Sequence, residues 1–192
     1  MDPARLEIDK SLLRRRLRSF LAGLPASERK KRSRKIADRL VRTPAFKKAK
    51  AVMIYMALPE EVQTRELIFT ALAMKKKVYL PQVNPKTKTI TAYRVMNLKK
   101  DLQEGSYGIL EPKPAKGRRG NPALLDLVVV PGLGFDRKGR RLGRGEGYFD
   151  RFLKKAKRAK KIGLAFRGQI VKKVPVDSHD VCVDRVITEL RQ

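Results

Sequence analysis

The feature that most constrains this chain is the passage from Leu125 to Lys157. Residues 125–130 (LDLVVV) are almost wholly apolar and of strand length, the pattern of a strand covered on both faces. The run leads into PGLGFDRKGRRLGRGEGYFDR (Pro131–Arg151) and then into a helix expected over residues 148–157. Buried strand, glycine-rich loop and helix, in that order, belong to α/β sheets, which place ligand loops beyond their strand ends. The flanking sequence agrees. Strand candidates at 51–57 (AVMIYMA), 77–81 (KVYLP), 90–95 (ITAYRV), 162–166 and 181–187 are interspersed with helix candidates at 6–24, 26–42 and 64–74. The expected class is therefore α/β with a mostly parallel, buried central sheet.

Local signals set the boundaries. Leu6, Leu13, Leu17, Phe20 and Leu24 gather on one helical face, and Pro25 breaks that helix. Ser27 is the candidate cap of the second helix, with Ile36 and Leu40 inward and Pro44 as its stop. A turn is expected at Asn84–Pro85. Residues 97–122, rich in Pro, Gly and Lys, read as surface loops.

Composition excludes several function classes. One Cys and one His rule out a disulfide framework and argue against a zinc site. No apolar run approaches the roughly 18–20 residues of a membrane span. Asp2, Glu7 and Asp9 precede any apolar stretch, so no signal peptide is expected and the expected location is the reducing cytoplasm. Lys and Arg number 47 against 19 Asp and Glu, a net charge of +28. Such a field attracts nucleic acid, an anionic membrane face, or phosphate- and carboxylate-bearing small molecules, and does not choose among them.

The glycine-rich loop is the best candidate for chemistry. Gly143, Gly145 and Gly147 alternate in GRGEG, so backbone N–H groups can approach an anion where the next helix begins. Arg141 and Arg144 add guanidinium forks suited to phosphate. The spacing matches neither the dinucleotide fingerprint nor a Walker loop. A solvated turn is the alternative. Asp150, in the first turn of the following helix, suits either the helix dipole or Mg²⁺. Asp177, Asp180 and Asp184 form a second acidic cluster, open to a metal or to an ordinary loop role. Lys10 and Arg14 share a helix face close to the apolar stripe; Lys10 either snorkels to water or faces an anion cleft. Glu61, just past a strand, is either solvated or a buried acceptor for the N–H and NH₂ groups of a heterocycle.

These segments together resemble the 5-formyltetrahydrofolate cyclo-ligase (5,10-methenyltetrahydrofolate synthetase) family. The resemblance runs through KSLLR (Lys10–Arg14), YMALPEEVQT (Tyr55–Thr64), YGILEP (Tyr107–Pro112), PGLGFD…RLGRGEGYFDR (Pro131–Arg151), GLAF (Gly163–Phe166) and VPVDSHDVCVDRVIT (Val174–Thr188). RLGRGEGYFDR carries the most weight. The resemblance implies a three-layer α/β/α fold over one domain, residues 1–192. It also implies ATP- and Mg²⁺-dependent cyclisation of 5-formyltetrahydrofolate to 5,10-methenyltetrahydrofolate, with release of ADP and phosphate.

Residue by residue, the resemblance implies ATP contacts from Lys10, Ser11, Leu12, Leu13 and Arg14 on the first helix, and from Arg141, Leu142, Gly143, Arg144, Gly145, Glu146, Gly147, Tyr148 and Phe149 in the loop. It implies folate contacts from Met56, Glu61 and Arg144 through Tyr148, with Glu61 the pterin anchor. Arg144 and Tyr148 are the implied catalytic pair, and Asp150 and Asp180 the magnesium positions. Three residues depart from the common pattern: Glu146 where many members have Gly, Gln63 where an acid is common, and Phe149 where Tyr is common. The implied partners are ATP and a folate, polyglutamylated or not. The chain is expected to be monomeric and without a membrane partner. An RNA-binding accessory protein, or a relative that binds folate without turnover, stands as the alternative.

Overall fold

A computed structural model describes residues 3–105 and 108–190. Tyr107 of the YGILEP motif lies outside the described residues. The elements are α1 (Pro3–Ala22), α2 (Ala26–Val41), α3 (Pro44–Lys48), β1 (Ala51–Met53), α4 (Arg65–Ala73), β2 (Lys77–Asn84), β3 (Thr89–Val95), β4 (Leu102–Glu104), β5 (Leu110–Pro112), β6 (Leu127–Val130), β7 (Gly134–Asp136), β8 (Arg141–Leu142), α5 (Tyr148–Lys155), β9 (Lys160–Leu164), β10 (Ile170–Val171) and β11 (Arg185–Ile187).

Six strands form the central sheet in the order β11-β9-β6-β1-β2-β3. All neighbours are parallel except β3, which returns antiparallel along the edge of β2. β6 shows why its sequence is continuously apolar. Leu127 and Val129 enter one buried cluster with Leu17, Leu21, Ile36, Leu40 and Ile68 from α1, α2 and α4. Val128 and Val130 enter a second with Phe152, Leu153 and Ala156 around α5. Successive side chains of a strand point to opposite faces, so a strand between two helical layers must be apolar throughout. The expected three-layer α/β sandwich with a mostly parallel sheet is what the chain forms.

The order of strands also locates the cleft. From β1 the chain crosses through α4 to β2 on one side, and later returns to place β6 on the other side of β1. Where strand order reverses, the connections after the two strands diverge and leave a crevice at their carboxyl ends.

Several boundaries differ from the sequence reading. Pro44 does not merely stop α2; it opens α3, whose first turn is capped by Thr43 Oγ1 accepting from the Phe46 N–H at 3.2 Å. Ser27 is not a cap: Pro25 precedes α2 and makes no side-chain cap. The run at 51–57 is a strand only to Met53, because the backbone beyond it leaves the sheet to wall the cleft. Residues 97–122 contain a short hairpin, β4–β5, in place of continuous loop. Only Arg185–Ile187 of the expected 181–187 strand pairs with β9. Among the described residues no helix is long and apolar enough to cross a membrane.

Candidate functional site

The crevice between the ends of β1 and β6 is a cleft of about 990 Å³. One wall is the segment after β1. Tyr55 is buried and its hydroxyl donates to the Val62 carbonyl at 3.0 Å, while Thr64 Oγ1 donates to the Tyr55 carbonyl at 2.6 Å. These bonds fold residues 55–64 into a tight arch that presents Met56, Leu58, Glu60 and Glu61 to the cleft. Burial first, and the nearby Glu61 charge second, push the Tyr55 phenol well above its ordinary pKa, so it stays a neutral donor.

The opposite wall is the glycine loop, Gly143–Gly147, between β8 and α5. Gly147 has φ +67° and Gly145 φ +122°, conformations that L side chains rarely adopt, so the loop can make its close turn into α5 only with glycine there. Arg14 on α1 braces the loop through Nε to the Gly143 carbonyl at 3.2 Å. Glu146, the residue that departs from the family pattern, lines the cleft with its carboxylate paired to Lys88 Nζ at 3.2 Å. Lys88 sits at the tip of the β2–β3 hairpin, whose backbone carbonyl also accepts from Arg151 Nε at 2.8 Å. The hairpin therefore supplies a counter-ion to a carboxylate that lines the cleft.

Lys10, Arg14, Arg141 and Arg144, which face the cleft, are each held by a carboxylate. Lys10 is buried, its ammonium 2.7 Å from Asp180 and 3.0 Å from Asp177. It neither snorkels to water nor stands alone. Burial by itself would lower its pKa, but the bonds to Asp180 and Asp177 outweigh that and raise it. The Asp177 pKa is lowered, first by the His179 N–H it accepts and then by Lys10. Arg141 Nη2 meets Asp150 Oδ2 at 2.6 Å, and Asp150 Oδ1 accepts from the Val181 N–H at 3.1 Å. Arg141 Nε is buried with no partner among the described residues, a donor that costs about 1–3 kcal/mol while unmet.

Arg144 crosses the cleft to the arch. Its Nη2 lies 2.7 Å from Glu60 Oε1 and 3.1 Å from Glu61 Oε1, with Nε 3.3 Å from the latter. Glu61 is the more enclosed acid, its side chain 12% exposed against 34% for Glu60. Its other oxygen accepts from the Leu58 N–H at 3.1 Å. Burial raises the Glu61 pKa, and the pull of Arg144 only partly opposes it. For Glu60 burial also works upward, but the bond from Arg144 prevails and the pKa falls.

The cleft thus gathers nearly all the residues expected from the sequence. Lys10, Arg14, Met56, Glu61, Arg141 through Asp150, and Asp180 all line it. Ser11, Leu12 and Leu13 do not: Ser11 and Leu12 are exposed on the outer face of α1, and Leu13 packs on the core. The sequence reading missed Glu60, Glu7, Arg18 and His179, which also line the cleft, and gave Asp177 no distinct role. Helical arithmetic would have found Glu7 and Arg18, which continue the Lys10–Arg14 face at spacings of three and four.

Among the described residues no three His, Cys, Asp or Glu side chains stand together as a metal cage. Asp150 and Asp180 both line the cleft, and two carboxylates are the hard-oxygen set that Mg²⁺ takes when phosphates and water supply the rest. The donors present fit Mg²⁺ bound together with a polyphosphate.

A family model described as 5-formyltetrahydrofolate cyclo-ligase family matches residues 7–189. A mouse (Mus musculus) protein named 5-formyltetrahydrofolate cyclo-ligase is 31% identical, over 92% of each chain. A mitochondrial protein of that name from Arabidopsis thaliana is 33% identical over 93% of this chain and 73% of its own. The solved structure of Aquifex aeolicus 5,10-methenyltetrahydrofolate synthetase superposes with a TM-score of 0.83 at 37% identity, covering 95% of this chain and 90% of that one.

Proposed function

The chain belongs to the 5-formyltetrahydrofolate cyclo-ligase family, and we propose that its cleft converts 5-formyltetrahydrofolate to 5,10-methenyltetrahydrofolate with ATP as co-substrate. The observation that carries this reading is the pairing of two opposed walls. One is a glycine loop leading into the N-terminus of α5 with Lys10, Arg14, Arg141 and Arg144 about it; the other is an arch presenting the enclosed Glu61.

Ring closure at a formamide stalls because its oxygen leaves poorly. The γ-phosphoryl group of ATP is transferred to that formyl oxygen, and ADP departs. N10 of the folate attacks the activated formyl carbon and gives up its proton, the C–O bond breaks, inorganic phosphate leaves carrying that proton, and the five-membered ring is closed. Phosphoryl transfer asks mainly for alignment and charge stabilisation. The loop's N–H groups, Lys10, Arg14 and Arg141 hold the triphosphate, Arg141 Nε finding there the acceptor it lacks. Arg144 stabilises charge on the moving phosphoryl group, and Tyr148 at the first position of α5 borders the formyl end. Glu61 accepts from the pterin N–H and NH₂ groups, with Met56 beside the ring. Asp150 and Asp180 would hold Mg²⁺, which when bound neutralises phosphate charge.

The test is an absorbance assay for the methenyl product with purified protein, 5-formyltetrahydrofolate, ATP and Mg²⁺, each omitted in turn. Product is expected only in the complete mixture. Asp150→Asn is expected to cut Mg²⁺-ATP-dependent turnover sharply while leaving the unfolding midpoint within a few degrees. Unchanged turnover would remove Asp150 from the metal site.

A further inference from the structure

We propose that Glu60 is a positioning residue for Arg144, holding the guanidinium over the cleft when the substrate's ring takes Glu61 away from it. The inference rests on the function proposed above and adds a residue to it. Both assigned partners, the anchor Glu61 and the charge stabiliser Arg144, are bonded to each other in this structure. A pterin cannot use Glu61 Oε1 while Arg144 Nε and Nη2 occupy it. Something must keep Arg144 in place once that oxygen is given up.

Glu60 is the group so situated. It takes the shortest of the three bonds, 2.7 Å from Nη2, and it does so from the rim, where its side chain is 34% exposed. The two acids differ in kind. Glu61 is enclosed and its second oxygen is fixed by the Leu58 N–H, so it stays on the pocket floor. Glu60 is freer and holds its charge more readily, so it is the better lasting counter-ion for a mobile arginine. Bonded to Glu60 through Nη2 alone, Arg144 keeps Nε and Nη1 for phosphoryl oxygens. Neighbouring acids on one arch thus divide the work: Glu61 for the substrate, Glu60 for the arginine.

The experiment compares kcat and KM for wild type, Glu60→Gln, Glu60→Asp, Glu61→Gln and Arg144→Ala, and adds Glu60→Gln in the Arg144→Ala background, with unfolding midpoints for all. Glu60→Gln is expected to lower kcat about tenfold, the loss of one charge-assisted bond, with folate KM changed less than about twofold. Glu60→Asp is expected to recover part of kcat, and Glu61→Gln to raise folate KM instead. In the Arg144→Ala background Glu60→Gln is expected to change nothing further, which a general structural role would not produce. An active wild type whose kcat is indifferent to Glu60→Gln overturns the inference. So does a Glu60→Gln loss that persists without Arg144, or one that appears in folate KM as large as that of Glu61→Gln. A wild type that makes no methenyl product overturns the proposed function itself, and this inference with it.

Discussion

Arg144 shows how much one side chain is asked to do. Its own pKa would fall with burial, but Glu61 and Glu60 raise it, so the charge is permanent. Replacing it by Ala should slow turnover on the order of 10²-fold, as removing one donor to developing charge commonly does. A kcat within about twofold of wild type would show that the charge is stabilised elsewhere. Away from the cleft, Asp101 is tuned by the same physics. Burial alone would raise its pKa, but it accepts the Met96 and Asn97 N–H groups and pairs with Arg118 at 2.6 Å, which together bring it down to about 2. Because the folded pKa lies below the unfolded one, the stabilisation is full above about pH 4 and is lost as pH falls towards 2. The shift corresponds to about 2 kcal/mol. The difference in unfolding free energy between wild type and Asp101→Asn should therefore shrink between pH 5 and pH 2, and a constant gap would contradict the assignment.

At the scale of elements, legibility followed burial. β6 and α1 were readable because a strand between two helical layers and a helix on a core each leave a periodic apolar trace. β4–β5 left none: three-residue strands in a two-stranded ladder give alternation too little length to register. β7 and β8 were hidden inside the glycine-rich segment Pro131–Arg151 because polar bonds, not apolar periodicity, organise them. Asp136 is 2% exposed and accepts from the N–H groups of Lys138, Arg140 and Val174, with the Arg140 side chain against it. The visible clue was Asp136 three residues before Gly139, a tight-turn signature. That turn gives a paired prediction. Gly139 and Gly117 share φ +76°, but a Cβ at Gly139 would lie 2.1 Å from the Val183 carbonyl oxygen, while at Gly117 nothing is within 4 Å. Gly117→Ala should cost about 1–2 kcal/mol of backbone strain, and Gly139→Ala clearly more. Equal losses in denaturant titrations would show that the segment around Val183 yields freely. The site was legible as a set of types, through glycines, arginines and acids at family spacing. Which cation pairs with which acid was not, since Lys10 and Asp180 lie 170 residues apart in sequence and meet only through the fold.

For the whole molecule the dominant fact is +28. A field of that size draws polyanions towards the protein, and dissolved salt screens it over about 10 Å at 0.1 M. KM for ATP, and for folates bearing glutamate tails, should rise several-fold between 50 and 500 mM KCl, with kcat changing far less because the reacting groups are shielded once bound. A KM indifferent to salt would mean the charge plays no part in capture.

The cleft is furnished with its own displacers. Lys10, Arg14 and Arg141 each already hold a carboxylate, from Asp177 and Asp180, Glu7, and Asp150. Under the proposed function an arriving triphosphate displaces these residents, and the same residents stand ready to displace ADP and phosphate afterwards. Grip and escape are thereby set against each other within single ion pairs. A variant that deletes Glu7 or Asp177 to bind nucleotide more tightly should find its departure, and not its chemistry, limiting the cycle.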